Sequence, residues 1–179
     1  KNLRPGDRVT IMPLMPCGTC RLCRLGRTNL CLNRQVPGVG RWLGTFAEYS
    51  LVKESVTFRL GAATPLELGV LAEPLAVGIH GGFRQGRVQR GDRVIVLGAG
   101  PIGLLTAMAA RAAGAGEIVV TDLLGFNLRL ARELCGAAVY DAGEPEWHAA
   151  LMGAYPDKFD VAFLCSGAPV TVPQAIACT

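Results

Sequence analysis

The sequence has little charge, no block of basic residues and no long apolar run. Of its 179 residues, 18% are Asp, Glu, Lys or Arg, and the formal net charge is +4. The basic side chains are scattered, which removes the electrostatic case for nucleic acid or a membrane surface as partner. No apolar run reaches the roughly 20 residues that a membrane helix needs. No signal peptide opens the sequence. Also missing is the even, spread-out cysteine set of a secreted disulfide framework. There are seven cysteines, an odd number. Four of them (Cys17, Cys20, Cys23 and Cys31) fall within fifteen residues, while Cys135, Cys165 and Cys178 are isolated. That pattern reads as a metal site plus free thiols, which places the chain in a reducing compartment and leads us to expect the cytoplasm.

Apolar material is plentiful. At 50% hydrophobic, the chain can build one sizeable core or two small ones. Residues 1–60 are rich in turns. Arg4-Pro5-Gly6-Asp7 is a turn signal that feeds a short strand over Arg8–Met12. The cysteine segment within 13–37 is full of Gly, Pro and Arg and reads as a loop. Phe46–Val52, aromatic and β-branched, reads as another strand. Leu66–Glu73 and Leu75–His80 have helical spacing, with Pro74 between them as a first-turn residue or a kink. A domain boundary is expected here, with 1–74 in one domain and 75–179 in the next.

From residue 91 strands and helices alternate. Arg93–Leu97, Glu117–Thr121, Ala138–Tyr140 and Asp160–Cys165 read as strands. Pro101–Ala113, Leu128–Cys135 and Glu144–Met152 read as helices, the first two stopped by Gly114 and Gly136. The alternation predicts a parallel sheet with helices on both faces.

Gly98-Ala99-Gly100-Pro101-Ile102-Gly103 is a G-x-G-x-x-G. It is weak alone, but here it follows an apolar strand and opens an alanine-rich helix. Gly98 permits the tight turn, Gly100 the approach of a pyrophosphate, and Gly103 close helix–strand packing. The free N–H groups at the helix start can hold phosphate, and Pro101 costs nothing at that position. Asp122 ends the next strand about 20 residues later, where an acid bonds the ribose hydroxyls. An acid at that point also repels the extra phosphate of NADP, so the expected coenzyme is NAD. The alternative is a glycine-rich turn with an incidental acid.

The spacing Cys17-x2-Cys20-x2-Cys23-x7-Cys31 suits a closed tetrahedral Zn²⁺ site, which is a structural one. Arg21, Arg24 and Arg27 would offset the excess negative charge. An iron–sulfur cluster shares the spacing of the first three cysteines, but its bacterial form places the fourth sooner and follows it with proline. Free thiols are the remaining alternative.

Together these motifs resemble the zinc-dependent medium-chain dehydrogenases, the family of alcohol, polyol and threonine dehydrogenases. Leu3–Val9, the four cysteines, Gly44-Thr45-Phe46-Ala47-Glu48-Tyr49, Glu73-Pro74-Leu75-Ala76, the glycine motif with Asp122, and Cys165-Ser166-Gly167 all carry the likeness, which runs along nearly the whole chain. The resemblance implies an α/β fold: part of a β-rich, GroES-like catalytic domain with a structural zinc lobe, then the first half of a doubly wound Rossmann domain. It implies that Gly98, Gly100, Pro101, Ile102, Gly103, Asp122, Asn127, Cys165, Ser166 and Gly167 line the coenzyme site. Many relatives carry Arg where this chain has Asn127, which puts one contact near the adenosine in question.

Glu73 stands where the polyol and threonine branches place a glutamate at or beside a catalytic zinc and where alcohol dehydrogenases place a cysteine. The resemblance therefore implies that Glu73 is catalytic and metal-linked; its plain alternative is a solvent-facing carboxylate at a helix end. His80 is read as structural. The family's upstream zinc ligands are not in the sequence, so the chain is expected to be an internal piece, inactive alone, of an enzyme passing hydride between an alcohol or polyol and NAD(H). A homodimer or homotetramer is implied. Two other functions remain open: a non-catalytic NAD-binding or regulatory protein, and a relative of the zinc-independent quinone reductases.

Overall fold

The structure is a computed structural model and describes residues 3–40 and 42–179. It divides into two compact units, Lys1–Glu73 and Pro74–Thr179. Among the described residues no helix is long and apolar enough to cross a membrane.

In the first unit, β1 (Val9–Ile11) pairs antiparallel with a strand near residue 58, β2 (Thr57–Arg59), with Val9 opposite Arg59. The turn before β1 is held by Asp7. Its Oδ2 accepts the Arg4 N–H at 2.7 Å and pairs with Arg59 Nη2 at 2.7 Å. The same carboxylate thus closes the turn and ties it to the partner strand. Between the two strands runs the cysteine segment. It is less irregular than expected from the sequence, because one helical turn, α1 (Arg21–Arg24), and a 3-10 turn at Thr28–Leu30 lie inside it.

Phe46–Val52 does not form the expected strand. Phe46, Tyr49 and Leu51 are exposed at 109%, 90% and 92%. Strand propensity here means fitting a half-buried pleated surface. Among the described residues no strand pairs with this segment, so neither the ladder nor the burial is supplied.

A short helix, α2 (Leu66–Gly69), precedes α3 (Ala72–Ile79), and Pro74 sits in the first turn of α3, where its missing N–H has no intrahelical partner. A π-helical turn, His80–Gln85, continues from α3. Its first residue, His80, is exposed, with Nε2 3.3 Å from Gln85 Nε2.

The second unit is built on four parallel strands. In chain order its elements are β3 (Arg93–Leu97), α4 (Pro101–Ala113), β4 (Glu117–Asp122), α5 (Gly125–Cys135), β5 (Ala138–Asp141), α6 (Trp147–Ala154), β6 (Val161–Leu164) and α7 (Thr171–Cys178). The sheet order is β5-β4-β3-β6. The register sets Leu97 beside Thr121 on one side and Leu164 on the other. Helix α5 starts three residues earlier than its apolar periodicity suggests, because none of Gly125, Phe126 and Asn127 is buried and Leu128 is its first core residue.

Alternation along the strands divides the core into two faces. Val94, Val96, Ile118 and Val120 pack with Ala107 and Ala110 of α4 and with Ala131 and Cys135 of α5. Ile95, Leu97 and Val119 face the other way, onto Leu151 of α6 and Ala175 and Cys178 of α7. A strand buried on both faces has to be apolar throughout, and Val94 to Leu97 are each 0% exposed. Burying such side chains stabilises by about 1.5–3 kcal/mol each, so the centre of the sheet anchors this unit. The order also fixes where a ligand can sit. The chain leaves β3 to one side for β4 and β5, then returns to the other side for β6. Such a switch point opens a crevice at the carboxyl ends of the two strands.

Candidate functional site

The first unit brings four sulfurs together. The Sγ atoms of Cys17, Cys20, Cys23 and Cys31 all lie within 4.8 Å of one another. Cys17 and Cys23 are 4.0 Å apart, and Cys20 and Cys31 are 3.9 Å apart. A tetrahedron with metal–sulfur bonds of about 2.3 Å has edges of about 3.8 Å, so the cluster already has the size of a zinc shell. Cys31 is fully buried and the other three are half-buried, and four sulfurs would fill a tetrahedral shell with no position left for substrate.

Local structure makes this possible. Helix α1 carries Cys23 one turn from its flank at Cys20, and the 3-10 turn delivers Cys31. Backbone donors then point at sulfur: the Cys17 N–H reaches Cys31 Sγ at 3.3 Å and the Cys20 N–H reaches Cys17 Sγ at 3.3 Å. The Thr19 hydroxyl donates to Cys17 Sγ at 3.6 Å.

These donors favour thiolate. Hydrogen bonds from Thr19, through backbone and hydroxyl, and from the Cys20 backbone hold the Cys17 thiol down at about 6. Backbone hydrogen bonds from Cys23 and Leu32 lower Cys20. Cys23 is pushed up to about 12 by loss of solvent and by the neighbouring thiols. Four adjacent sulfurs cannot all ionise without a cation among them, and a divalent metal removes that obstacle. Arg21, Arg24 and Arg27 are all exposed around the lobe.

The second unit forms a crevice at the ends of β3 and β6. Gly98 has φ +107°, and a Cβ there would lie 2.9 Å from the Cys165 carbonyl carbon and 3.0 Å from Ser166 Cβ. A Cβ on Gly103 would overlap the Gly98 carbonyl oxygen. The glycine turn, the start of α4 and the end of β6 therefore touch only because both positions lack side chains. Helix α4 begins at Pro101 with Gly100 as its cap and no side-chain capping bond. Its first N–H groups and the positive end of its dipole are left for an anion. Pro101 and Ile102 are exposed at this helix start, whereas Gly103 is buried.

Asp122 ends β4 and faces the same turn. Its Oδ2 accepts the Ala99 N–H at 2.6 Å. Its Oδ1 accepts the Leu124 N–H at 2.9 Å and the Asn127 side-chain N–H at 3.2 Å. Cys165 is half-buried, its Sγ 3.9 Å from Thr106 Oγ1, and burial raises its thiol. Ser166 Oγ accepts the Ala168 N–H at 3.1 Å, and Gly167 is exposed beside it. Burial likewise raises Cys135 and Cys178. These three thiols stay protonated near neutrality and are poor nucleophiles.

Sequence reasoning passes over Ala99 and Thr19. Ala99 acts through its backbone N–H, and only its place inside the glycine turn hints at that. Thr19 lies between two of the four clustered cysteines, a place where a hydroxyl donor to sulfur is the signal. Glu73 lies exposed in the first turn of α3. Among the described residues it belongs to no group of three or more metal-binding side chains.

A closed four-sulfur lobe joined in one chain to a glycine turn at a sheet switch point narrows the comparison. The alcohol dehydrogenase GroES-like domain matches residues 1–62, and the zinc-binding dehydrogenase model matches residues 101–179. The chain belongs to the zinc-binding alcohol dehydrogenase family. It is similar to sorbitol dehydrogenase 1 of Saccharomyces cerevisiae, at 33% identity over 97% of this chain and 50% of the relative. It is similar to mouse (Mus musculus) sorbitol dehydrogenase, at 34% identity over 100% of this chain and 51% of the relative. Among solved structures, a zinc-binding dehydrogenase from Sinorhizobium meliloti 1021 bound to NADP superposes with a TM-score of 0.93. Its sequence is 35% identical, with 100% of this chain and 53% of that one covered. The chain spans about half the length of the curated relatives it matches.

For this zinc-binding dehydrogenase chain the donor set fits the family's metal. Four thiolates with hydrogen-bonded sulfurs are soft ligands of the kind zinc takes in closed sites.

Proposed function

We propose that the whole protein of which this chain forms part is a zinc-dependent oxidoreductase moving hydride between a polyol and NAD(H). The reading rests chiefly on one observation: the Ala99 N–H in the glycine turn bonds Asp122 Oδ2 at 2.6 Å, an arrangement that suits a cradle for ribose and pyrophosphate. It is supported by the likeness to sorbitol dehydrogenases on both sides of that cradle.

In this reading the residues of the chain bind and orient. Gly98, Gly100 and Gly103 allow the pyrophosphate onto the backbone. Pro101 has no N–H to give, so the N–H groups of Ile102 and Gly103 hold the phosphate. Asp122 takes the ribose hydroxyls, with Asn127 beside it. The backbone at Cys165, Ser166 and Gly167 walls the crevice next to the coenzyme. Cys17, Cys20, Cys23 and Cys31 hold a structural zinc that fixes the lobe. Glu73 would lie at or beside the catalytic metal, where its carboxylate could serve as a ligand. When bound, the coenzyme supplies hydride transfer and the catalytic metal polarises the alcohol oxygen. The domain boundary is proposed between residues 74 and 75, a reading supported by the division of the chain into the compact units Lys1–Glu73 and Pro74–Thr179. A reducing compartment such as the cytoplasm suits seven free cysteines, and a homo-oligomer is the proposed assembly.

The test is coenzyme reduction by the whole protein with a panel of polyols and simple alcohols. Polyol-dependent NAD⁺ reduction that disappears in Glu73→Ala and Asp122→Ala supports the reading. Zinc and NADH binding without turnover of any alcohol favours a non-catalytic coenzyme-binding protein.

A further inference from the structure

The net charge of +4 conceals two regions of opposite sign. From Arg8 to Ala47 the chain carries six arginines (Arg8, Arg21, Arg24, Arg27, Arg34 and Arg41) and not one acid. From Glu133 to Thr179 it carries six acids against a single cation, Lys158. The cationic stretch is the cysteine lobe with its flanks. Four thiolates around one divalent ion leave two negative charges, so arginine stays in surplus there even with the metal bound.

Arg21, Arg24, Arg27 and Arg34 are all exposed. Among the described residues the ion pairs fall elsewhere, at Arg59–Asp7, Arg93–Glu117 and Arg93–Asp157. Leucines stand between the arginines: Leu25, Leu30 and Leu32 are exposed at 58%, 50% and 73%. No lysine occurs in the stretch. Arginine is enriched at protein interfaces and lysine depleted, because a guanidinium is weakly hydrated and offers a carboxylate two N–H groups at once.

The opposite sign is concentrated on the turn between β5 and α6. Asp141, Glu144 and Glu146 fall within six residues there, and no basic residue occurs between Arg132 and Lys158. The turn is well bonded. Asp141 Oδ1 accepts the Gly143 N–H at 2.8 Å, and the Glu144 carbonyl accepts the Trp147 N–H at 3.3 Å. Glu144 and Glu146 are exposed, and among the described residues neither has an ion-pair partner.

We infer that the cysteine lobe is a docking surface for a second copy of this protein, with Arg21, Arg24 and Arg27 of one copy set against Asp141, Glu144 and Glu146 of the other. The inference rests on the homo-oligomer proposed above and deepens it by naming the two faces. Both belong to every copy, so a two-fold pair makes the contact twice. The four cysteines, by closing the lobe, set where the docking arginines stand.

The experiment is sedimentation velocity of the purified whole protein, kept in zinc, over a range of concentration and salt. Three variants accompany the natural sequence: Arg21→Glu with Arg24→Glu and Arg27→Glu; Glu144→Arg with Glu146→Arg; and the two sets combined. Either set alone should weaken association by about tenfold or more, because attractive pairs become repulsive. Rising salt should weaken association of the natural protein, and the combined variant should recover most of what each set loses. The acidic-turn set lies in the other unit and tests the inference alone should the arginine set lose its zinc. Unchanged association in the acidic-turn set, or no recovery in a combined variant that retains zinc, overturns the inference and leaves the homo-oligomer to other surfaces. A natural protein that sediments as a monomer at every concentration overturns the homo-oligomer and this inference with it.

Discussion

Asp122 Oδ2 and the Ala99 N–H are 2.6 Å apart, so the end of β4 is bonded directly to the middle of the glycine turn. The acid that ends β4 and the glycine turn thus form one structure, and a change in either should disturb both.

Replacing Asp122 tests that link. Asp122→Ala removes the acceptor of three hydrogen bonds. The same substitution removes the one bond that a ribose hydroxyl would make to the carboxylate, worth about 1.5–3 kcal/mol. NADH binding should weaken by one to two orders of magnitude, on the order of the 1.4 kcal/mol per tenfold step. Amide exchange at Ala99 should quicken in the same variant. Titration of NADH fluorescence and hydrogen exchange check the two halves; unchanged exchange at Ala99 would mean that the bond holds nothing in place.

Gly103→Ala probes steric packing. The added methyl would overlap the Gly98 carbonyl oxygen, so the turn has to move away from α4. Overpacking of this kind costs about 1–3 kcal/mol. Thermal denaturation should show a lowered midpoint, and NADH affinity should fall together with it. Gly100→Ala is the control for stability, because nothing lies within 4 Å of a Cβ there. It should leave the midpoint unchanged and act on coenzyme binding alone.

In the zinc lobe, Thr19→Ala removes a donor to Cys17 Sγ without touching a ligand. Outer-shell partners of this kind are worth about tenfold or more in metal affinity. Competition against a chromophoric chelator should show zinc held that much more weakly, with stoichiometry unchanged.

Acidity should act on the lobe with a definite sign. Cys17 is held down at about 6 and Cys23 is pushed up to about 12. Near pH 7, zinc added to protein stripped by a chelator has to displace a proton from Cys23 and none from Cys17. Once the pH falls through about 6, Cys17 is protonated as well and zinc has to displace that proton too. Zinc affinity should therefore drop with one additional proton per metal below that point, as required when ligands bind deprotonated. Proton release followed with an indicator dye measures this. A slope that stays constant through the interval would contradict the depressed Cys17.

Much of this arrangement is legible in the sequence because local chemistry dictates it. Val94 to Leu97 have to form a buried strand, and Gly98 to Gly103 can serve only as a turn into a helix. The four cysteines announce their own convergence. What escapes depends on distant partners. Phe46–Val52 has strand composition, but pairing is a property of two segments, and the described residues supply no second one. Turns inside the cysteine loop escape because Arg21–Arg24 and Thr28–Leu30 are too short for periodicity to show. The bond from Ala99 to Asp122 escapes because a backbone N–H has no letter in the sequence. Asn127 stands out in the sequence as a departure from a family pattern, whereas its bond to Asp122 depends on how the chain turns from the end of β4 into α5.

The central claim is that this chain carries a closed zinc lobe fixed by four cysteines, and native mass spectrometry of the purified chain tests it most directly. One zinc ion should be retained by the chain under mild conditions, and none after Cys20→Ser. A spectrum with no metal from a preparation kept in zinc, or with the mass of an iron–sulfur cluster in its place, would contradict it.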